Sequence, residues 1–130
     1  LYRAVSTLWG AEPKQMTTEE ISLQGVAADD PVCHQTLEIF FGLLGAAAGN
    51  LALTVCARSG VYIGGGIVPK LRDFARTSPM RRRFDKRGEL ESFAAEIPLY
   101  LILDEDPGLI GARICLDELS VEGIEELGDG

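Results

Sequence analysis

The stretch Val61-Tyr62-Ile63-Gly64-Gly65-Gly66-Ile67 joins a short β-branched and aromatic run to three consecutive glycines. The run predicts a strand, and the Pro69 that follows predicts a helix start, because proline suits the first helical position. Glycine lets a ligand approach the backbone without a β-carbon in the way, and a helix N-terminus favours an anion. This order is typical of nucleotide sites in α/β folds. Gly64, Gly65, Gly66 and Ile67 are therefore candidate binding residues.

Two known phosphate-binding motifs do not fit these glycines. The dinucleotide fingerprint Gly-x-Gly-x-x-Gly, counted from Gly64, would need a glycine where Pro69 stands. No Gly-Lys-Ser/Thr follows, so the segment is not a Walker loop either. A glycine-rich turn that binds nothing remains the alternative.

A second strand is predicted over residues 97–103, which are strongly apolar. Helical pieces over 70–76, 78–87 and 89–95 separate it from the first strand, and such a crossover predicts a parallel pair. Strands that are apolar along their length belong inside a sheet covered on both faces. Two strands are too few for such a sheet, so we expect further strands upstream. A final helix is predicted over 107–119, followed by a frayed end at 128–130.

The sequence predicts three helices in the first half of the chain. Residues 1–9 form one, and Thr17 and Glu20 form the capping box of a second. Asp30 and Pro31 open the longest, over 31–57. One of its faces carries Leu37, Phe40, Phe41, Leu44, Ala48, Leu51 and Val55. Because the opposite face is also apolar or small, we expect burial on several sides.

The long helix lacks any charge from Ile39 to Ala57, which is long enough to cross a bilayer. Its Gly45-x-x-x-Gly49 spacing suits a membrane dimer or a helix packed tightly on a sheet. Asn50, Thr54 and several glycines keep its hydropathy modest. We therefore predict a buried helix and no membrane partner.

Composition and net charge exclude several classes of function for this chain. The 130 residues are 46% apolar and 25% charged, as in one globular domain. A net charge of −8 makes nucleic acid an unsuitable partner. Three cysteines and one histidine, His34, are too few for a disulfide framework or a zinc site. We predict free thiols, a structural His34 and no metal-binding residues. Free thiols in an acidic chain favour a reducing compartment, so we also predict a cytoplasmic protein.

Basic residues are concentrated between Lys70 and Arg87, a segment that contains eight basic and two acidic residues. A cluster of this kind is usually a solvated helical face. The alternative is a diffuse attraction for nucleotide phosphates, because the cluster follows the glycines.

Several motifs together resemble the bacterial glucokinase family. They run in order along the chain: Leu1-Tyr2-Arg3-Ala4, Gly49-Asn50-Leu51-Ala52-Leu53, Gly60-Val61-Tyr62-Ile63, Gly65-Gly66-Ile67-Val68-Pro69, Ile97-Pro98-Leu99-Tyr100-Leu101-Ile102 and Pro107-Gly108-Leu109-Ile110-Gly111. The resemblance implies an α/β fold of the ribonuclease H-like, actin/hexokinase type. It also implies that residues 1–130 form part of the C-terminal lobe of a sugar kinase.

In this family the stretch from Ile63 to Pro69 looks like the adenosine motif, with Gly65 and Gly66 against the adenosine and α-phosphate of ATP. The implied reaction transfers the γ-phosphoryl group of ATP to the glucose 6-hydroxyl in glycolysis. Mg²⁺ would be bound through the ATP phosphates and through groups outside this chain.

The family's two phosphate loops, its Asn-Asp pair with the general base, and its sugar ligands have no match here. We therefore assign no catalytic residues to this chain and expect it to be inactive alone. Glucose would bind through the missing N-terminal part, which leaves sugar specificity open. The expected partner is a second copy or the missing part itself. The alternatives are a kinase for another hexose and a non-catalytic self-associating or regulatory module.

Overall fold

A computed structural model describes residues 1–104 and 106–122, so the frayed end predicted at 128–130 lies outside the described residues. Two strands alternate with helices in the order α1 (Tyr2–Leu8), α2 (Thr18–Ala27), α3 (Pro31–Thr54), β1 (Val61–Ile63), α4 (Arg72–Thr77), α5 (Met80–Asp85), a 3₁₀ turn (Gly88–Leu90), α6 (Glu91–Glu96), β2 (Leu99–Leu101) and α7 (Pro107–Glu122). The fold class is α/β and helix-rich, as predicted.

The starts of α2 and α3 follow the capping residues in the sequence. The Thr17 side chain accepts a hydrogen bond from the Glu20 amide, and the Glu20 carboxylate accepts one from the Thr17 amide. The Asp30 carboxylate accepts bonds from the amides of Val32 and Cys33 at 2.8 and 3.2 Å. Both predicted caps are confirmed, because each satisfies amides that have no partner inside the helix.

The two strands pair in parallel, as predicted, with Tyr62 opposite Tyr100. β2 is shorter than the predicted residues 97–103. The Ile97 amide donates to the carbonyl of Ala94 at the end of α6, and the Ile97 carbonyl accepts from Arg81. Ile97 therefore closes the helix before it instead of extending the strand.

The buried residues of α3 include the large side chains Leu37 and Phe41 and a stripe of small residues, Gly42, Gly45, Ala48, Gly49 and Ala52. A β-carbon on Gly45 would collide with the carbonyl oxygen of Met80 in α5. The two glycines therefore pack α3 against a helix, α5, while Ala48 and Ala52 of the same stripe share a core cluster with Ile63 of β1.

Two residues expected on the buried face of α3 are largely exposed. Leu51 is 60% exposed and Val55 is 62% exposed. The reason is that α5 approaches the small-residue side of the helix, where its backbone can come closest. α3 is long and apolar enough to cross a membrane by length and composition, and 44% of its most apolar window is buried inside this fold.

Two clusters of buried side chains form the core. One contains Ile63, Val68, Phe84 and Ile97, and the other is built around Phe41 and Met80. Leu44, Leu99 and Leu101 pack against both clusters and join them. Because Ile63 and Val68 flank the three glycines, the core holds both ends of the glycine segment.

Candidate functional site

The glycine segment leaves β1 between two anchored residues, Ile63 and Val68, which are 8% and 3% exposed. A β-carbon on Gly64 would lie 3.2 Å from the Cδ1 atom of Ile102, a contact that a small side-chain movement would relieve. Around Gly65 and Gly66, a β-carbon would meet no atom within 4 Å. The backbone at these two positions is therefore open to an approaching ligand.

The three glycines differ in backbone conformation. Gly65 has φ +116°, a region that side chains with a β-carbon rarely adopt, and Gly66 lies outside the left-handed region. A substitution at Gly65 therefore strains the backbone as well as filling space. A substitution at Gly66 fills space only, so Gly66 is the position at which ligand approach can be tested.

No helix begins at the glycines, which corrects the expected helix start at Pro69. The chain makes turns instead. The Val68 amide donates a hydrogen bond to the carbonyl oxygen of Gly65 at 3.2 Å, and the Leu71 amide donates one to the carbonyl oxygen of Ile67 at 3.1 Å. α4 begins only at Arg72. Val68 and Leu71 both insert into the core, and these turns bring both side chains inward together. Any anion at Gly65 and Gly66 would therefore meet turn amides and no helix N-terminus.

A groove of about 800 Å³ separates the turn at Gly66 from α2. Its apolar lining includes three side chains that are well exposed: Leu23 at 71%, Val26 at 50% and Ile67 at 41%. Across it, the Lys70 ammonium lies 3.9 Å from a carboxylate oxygen of Glu19 on α2. The volume and the mostly apolar lining suit a small organic ligand.

Sequence reasoning missed α2 as the second wall of this groove. The available signal was the helical spacing of Leu23 and Val26, which places both on one side of α2. Ile67 also lines an adjoining cavity of about 890 Å³ that extends from α2 to α1. The candidate residue Ile67 therefore belongs to two concave surfaces.

The remaining sequence candidates have structural roles. His34 hydrogen-bonds through Nδ1 to the carbonyl of Gly25 at 2.9 Å and meets the edge of the Phe74 ring. Burial raises the pKa of the Cys33 thiol, which keeps it protonated and unreactive. All three cysteines are free thiols. Over residues 1–104 and 106–117, no group of three or more His, Cys, Asp or Glu side chains is placed to hold a metal ion.

Comparison with known proteins identifies the family. The glucokinase family model matches residues 1–119. The chain belongs to the glucokinase family. Glucokinases of Aromatoleum aromaticum and Chromobacterium violaceum are 50% and 51% identical to it over 117 and 111 residues. These alignments cover 90% and 85% of the chain, and a Campylobacter jejuni glucokinase is 38% identical over 117 residues.

A crystal structure of a glucokinase from an Antarctic psychrotroph superimposes on the chain with a TM-score of 0.79 and 33% sequence identity. The match covers 90% of this chain and 36% of that glucokinase. The chain likewise spans about a third of the length of the curated relatives, 35% and 32% for the first two. The prediction that the chain corresponds to only part of a glucokinase is confirmed, and its α/β architecture is that of the family.

Proposed function

We propose that this chain is part of an ATP-dependent glucokinase and supplies the surface that binds the adenosine of ATP. The observation that carries the proposal is the open backbone at Gly65 and Gly66 beside an apolar groove. Membership of the glucokinase family supports the parent activity. The reaction is transfer of the γ-phosphoryl group to the 6-hydroxyl of glucose, in cytoplasmic glycolysis.

The residues present fit a nucleotide. A planar base has an apolar wall in Leu23 and Val26 on α2, and the glycine backbone lies on the other side of the same groove. The Lys70 ammonium is 62% exposed, so it can turn from Glu19 toward a phosphate. ATP supplies the phosphoryl group when bound, and Mg²⁺ would be bound through its phosphates and through groups outside this chain.

The chain contributes binding and no catalysis in this proposal. Phosphoryl transfer needs groups that position the sugar hydroxyl and stabilise charge on the phosphates. The phosphate loops, general base and sugar ligands implied by the family resemblance have no match in this sequence. Glucose therefore binds through the rest of the kinase, and the chain alone is inactive.

The test is Gly66→Val in the full-length protein that carries this chain. A valine side chain would occupy the open space where the adenosine lies. An overlap of this kind costs about 1–3 kcal/mol, by analogy with overpacking. The Michaelis constant for ATP should therefore rise roughly 5- to 150-fold, whereas the constant for glucose should change little.

Gly111→Val is the matched control, because a β-carbon at Gly111 also meets no atom within 4 Å and the residue does not line the groove. Thermal unfolding of both variants separates lost binding from lost folding. If Gly66→Val folds normally and leaves the ATP constant unchanged, the glycines form only a turn and the proposed site is wrong.

A further inference from the structure

A separate groove with a polar lining, of about 510 Å³, lies between α3 and α5. Gln35, Glu38 and Gly42 line it from α3, and Arg82, Arg83 and Lys86 line it from the α5 side. None of its lining residues lines the groove at Gly66. Any ligand bound here would therefore be separate from one held by the glycine segment.

The five cations of the segment 81–87 divide into two roles. Arg81 forms an ion pair with Asp85 at 2.7 Å and donates to the carbonyls of Ala95 and Ile97, both at 2.8 Å. Arg87 donates to backbone carbonyls, including that of Ala46 in α3. These two arginines hold α5 to its neighbours, so their guanidinium groups already make hydrogen bonds within the protein.

The other three cations lack such partners. Arg82, Arg83 and Lys86 are exposed, and among the described residues none of them makes an ion pair. Arg82 and Arg83 lie in the last turn of α5 and Lys86 is the residue that ends it, so three positive charges are concentrated at one end of this helix. The groove also contains one carboxylate, Glu38, so its lining carries a net charge of +2. This concentration of positive charge occurs in a chain whose net charge is −8.

Arg83 runs past Gly42 of α3 at the groove. A β-carbon at Gly42 would lie 3.7 Å from Cγ and 3.9 Å from Nε of Arg83. The stem of Arg83 thus passes close to α3 at Gly42, at a distance that leaves room for a β-carbon. The guanidinium group of Arg83 therefore lies at the groove and is exposed to an incoming ligand.

We propose that this groove binds a small polyvalent anion of the phosphate class, at a site separate from the glycine segment. Arginine guanidinium groups match phosphate oxygens in paired hydrogen bonds, and Lys86 adds a third positive charge. The net charge of the lining is balanced by an anion with two or more charges. The volume suits a small molecule. The proposal does not rest on the proposed function of the glycine segment.

The experiment measures binding of inorganic tripolyphosphate to the full-length protein by calorimetry, in buffer without Mg²⁺ or nucleotide. The double variant Arg82→Gln/Arg83→Gln should raise the dissociation constant about tenfold or more, since it removes two charged donors. Arg113→Gln, which removes an exposed arginine of α7 outside the groove, should leave the constant unchanged. Gly66→Val should also leave it unchanged, because it alters only the other groove.

Thermal unfolding without tripolyphosphate shows whether the double variant is folded. Its unfolding temperature should stay close to that of the unsubstituted protein, because Arg82 and Arg83 are exposed and make no ion pair among the described residues. Three results would overturn the proposal: no binding of tripolyphosphate, an unchanged dissociation constant in the double variant, or a loss of binding in Gly66→Val. Binding of an acidic peptide without binding of tripolyphosphate would also overturn it and would assign the groove to a protein partner.

Discussion

Gly45 is the residue at which the packing of α3 leaves least room. An added β-carbon would collide with the backbone carbonyl of Met80, and backbone cannot move aside as a flexible side chain can. We expect Gly45→Ala to push α5 away from α3 and to lower the free energy of unfolding by about 1–3 kcal/mol, the usual cost of overpacking. The gain in helix propensity from glycine to alanine offsets up to about 1 kcal/mol of this.

Gly42→Ala provides the matched control on the same helix. Its β-carbon would make ordinary contacts, the nearest at 3.7 Å to the Arg83 stem, so alanine should be neutral or stabilising there. Urea unfolding of the full-length protein compares the two variants. Equal stabilities would show that α3 and α5 are less closely packed than this structure has them.

Leu51 and Val55 show what a sequence cannot specify at single positions. Helical spacing correctly identified a helix with apolar residues on one side, but it did not identify which side the next element approaches. Beyond Phe41, the buried residues of α3 are glycines and alanines, because close approach of α5 selects small residues. Burial therefore depends on a partner that is distant in sequence, as Met80 is from Gly45, and local spacing does not reveal it.

The N-terminus of α3 depends on Asp30. Burial raises the pKa of this carboxyl, but the hydrogen bonds from Cys33, Lys14 and Val32 outweigh that effect and hold the pKa below its usual value of 3.8. A carboxyl with a lowered pKa in the folded state contributes stability above its unfolded pKa, and that contribution is lost as the pH falls through the folded value. We therefore expect α3 to lose this contribution at acidic pH below 3.8.

Two variants test the cap by unfolding at a series of pH values. Asp30→Ala should cost about 1 kcal/mol at neutral pH, as is typical for loss of an N-cap side chain. Asp30→Asn keeps an oxygen for the helix amides and should remain near the original stability, with less dependence on pH. If all three proteins lose stability equally on acidification, Asp30 is not the titrating group.

The elements themselves were largely predictable from the sequence. Thr17, Asp30 and Pro31 set two helix starts because their capping chemistry is local. The parallel pairing of β1 with β2 followed from the helices between them. The start of α4 was not predictable from Pro69, because burial of Val68 and Leu71 determined the turns that precede it. One wall of the groove beside Gly66 was predictable, because the three glycines are evident in the sequence. The opposite wall, formed by α2, was not predictable, because its position depends on tertiary packing.

At the scale of the molecule, apolar surface remains uncovered. Tyr62 and Tyr100 are 66% and 44% exposed on the sheet, and on α7 Leu109, Ile110 and Ile114 are 70%, 48% and 52% exposed. Such surface and an unpaired strand edge promote association. We therefore expect the isolated 130-residue chain to self-associate or to bind the remainder of a glucokinase, and to phosphorylate no sugar by itself.

Light scattering over a range of concentrations measures the association, and a coupled assay with glucose, ATP and Mg²⁺ measures the activity. A monomer at high concentration that binds no apolar dye would contradict the first expectation. Sugar phosphorylation that persists through repurification would contradict the second. Addition of the other two thirds of a related glucokinase provides a positive control for both measurements.

The paired tyrosines give the strand pairing an optical signal, which is the difference between the near-ultraviolet spectra of the unsubstituted protein and a Tyr62→Phe variant. Tyr62 and Tyr100 lie opposite each other in the ladder, with ring centroids 4.9 Å apart and planes inclined by 21°. Fixed aromatic packing produces circular dichroism in the near ultraviolet, and the signal is lost when the rings become mobile. Because Tyr62 lies two residues before Gly64, separation of the strands next to the glycine segment can be followed in solution without an added label.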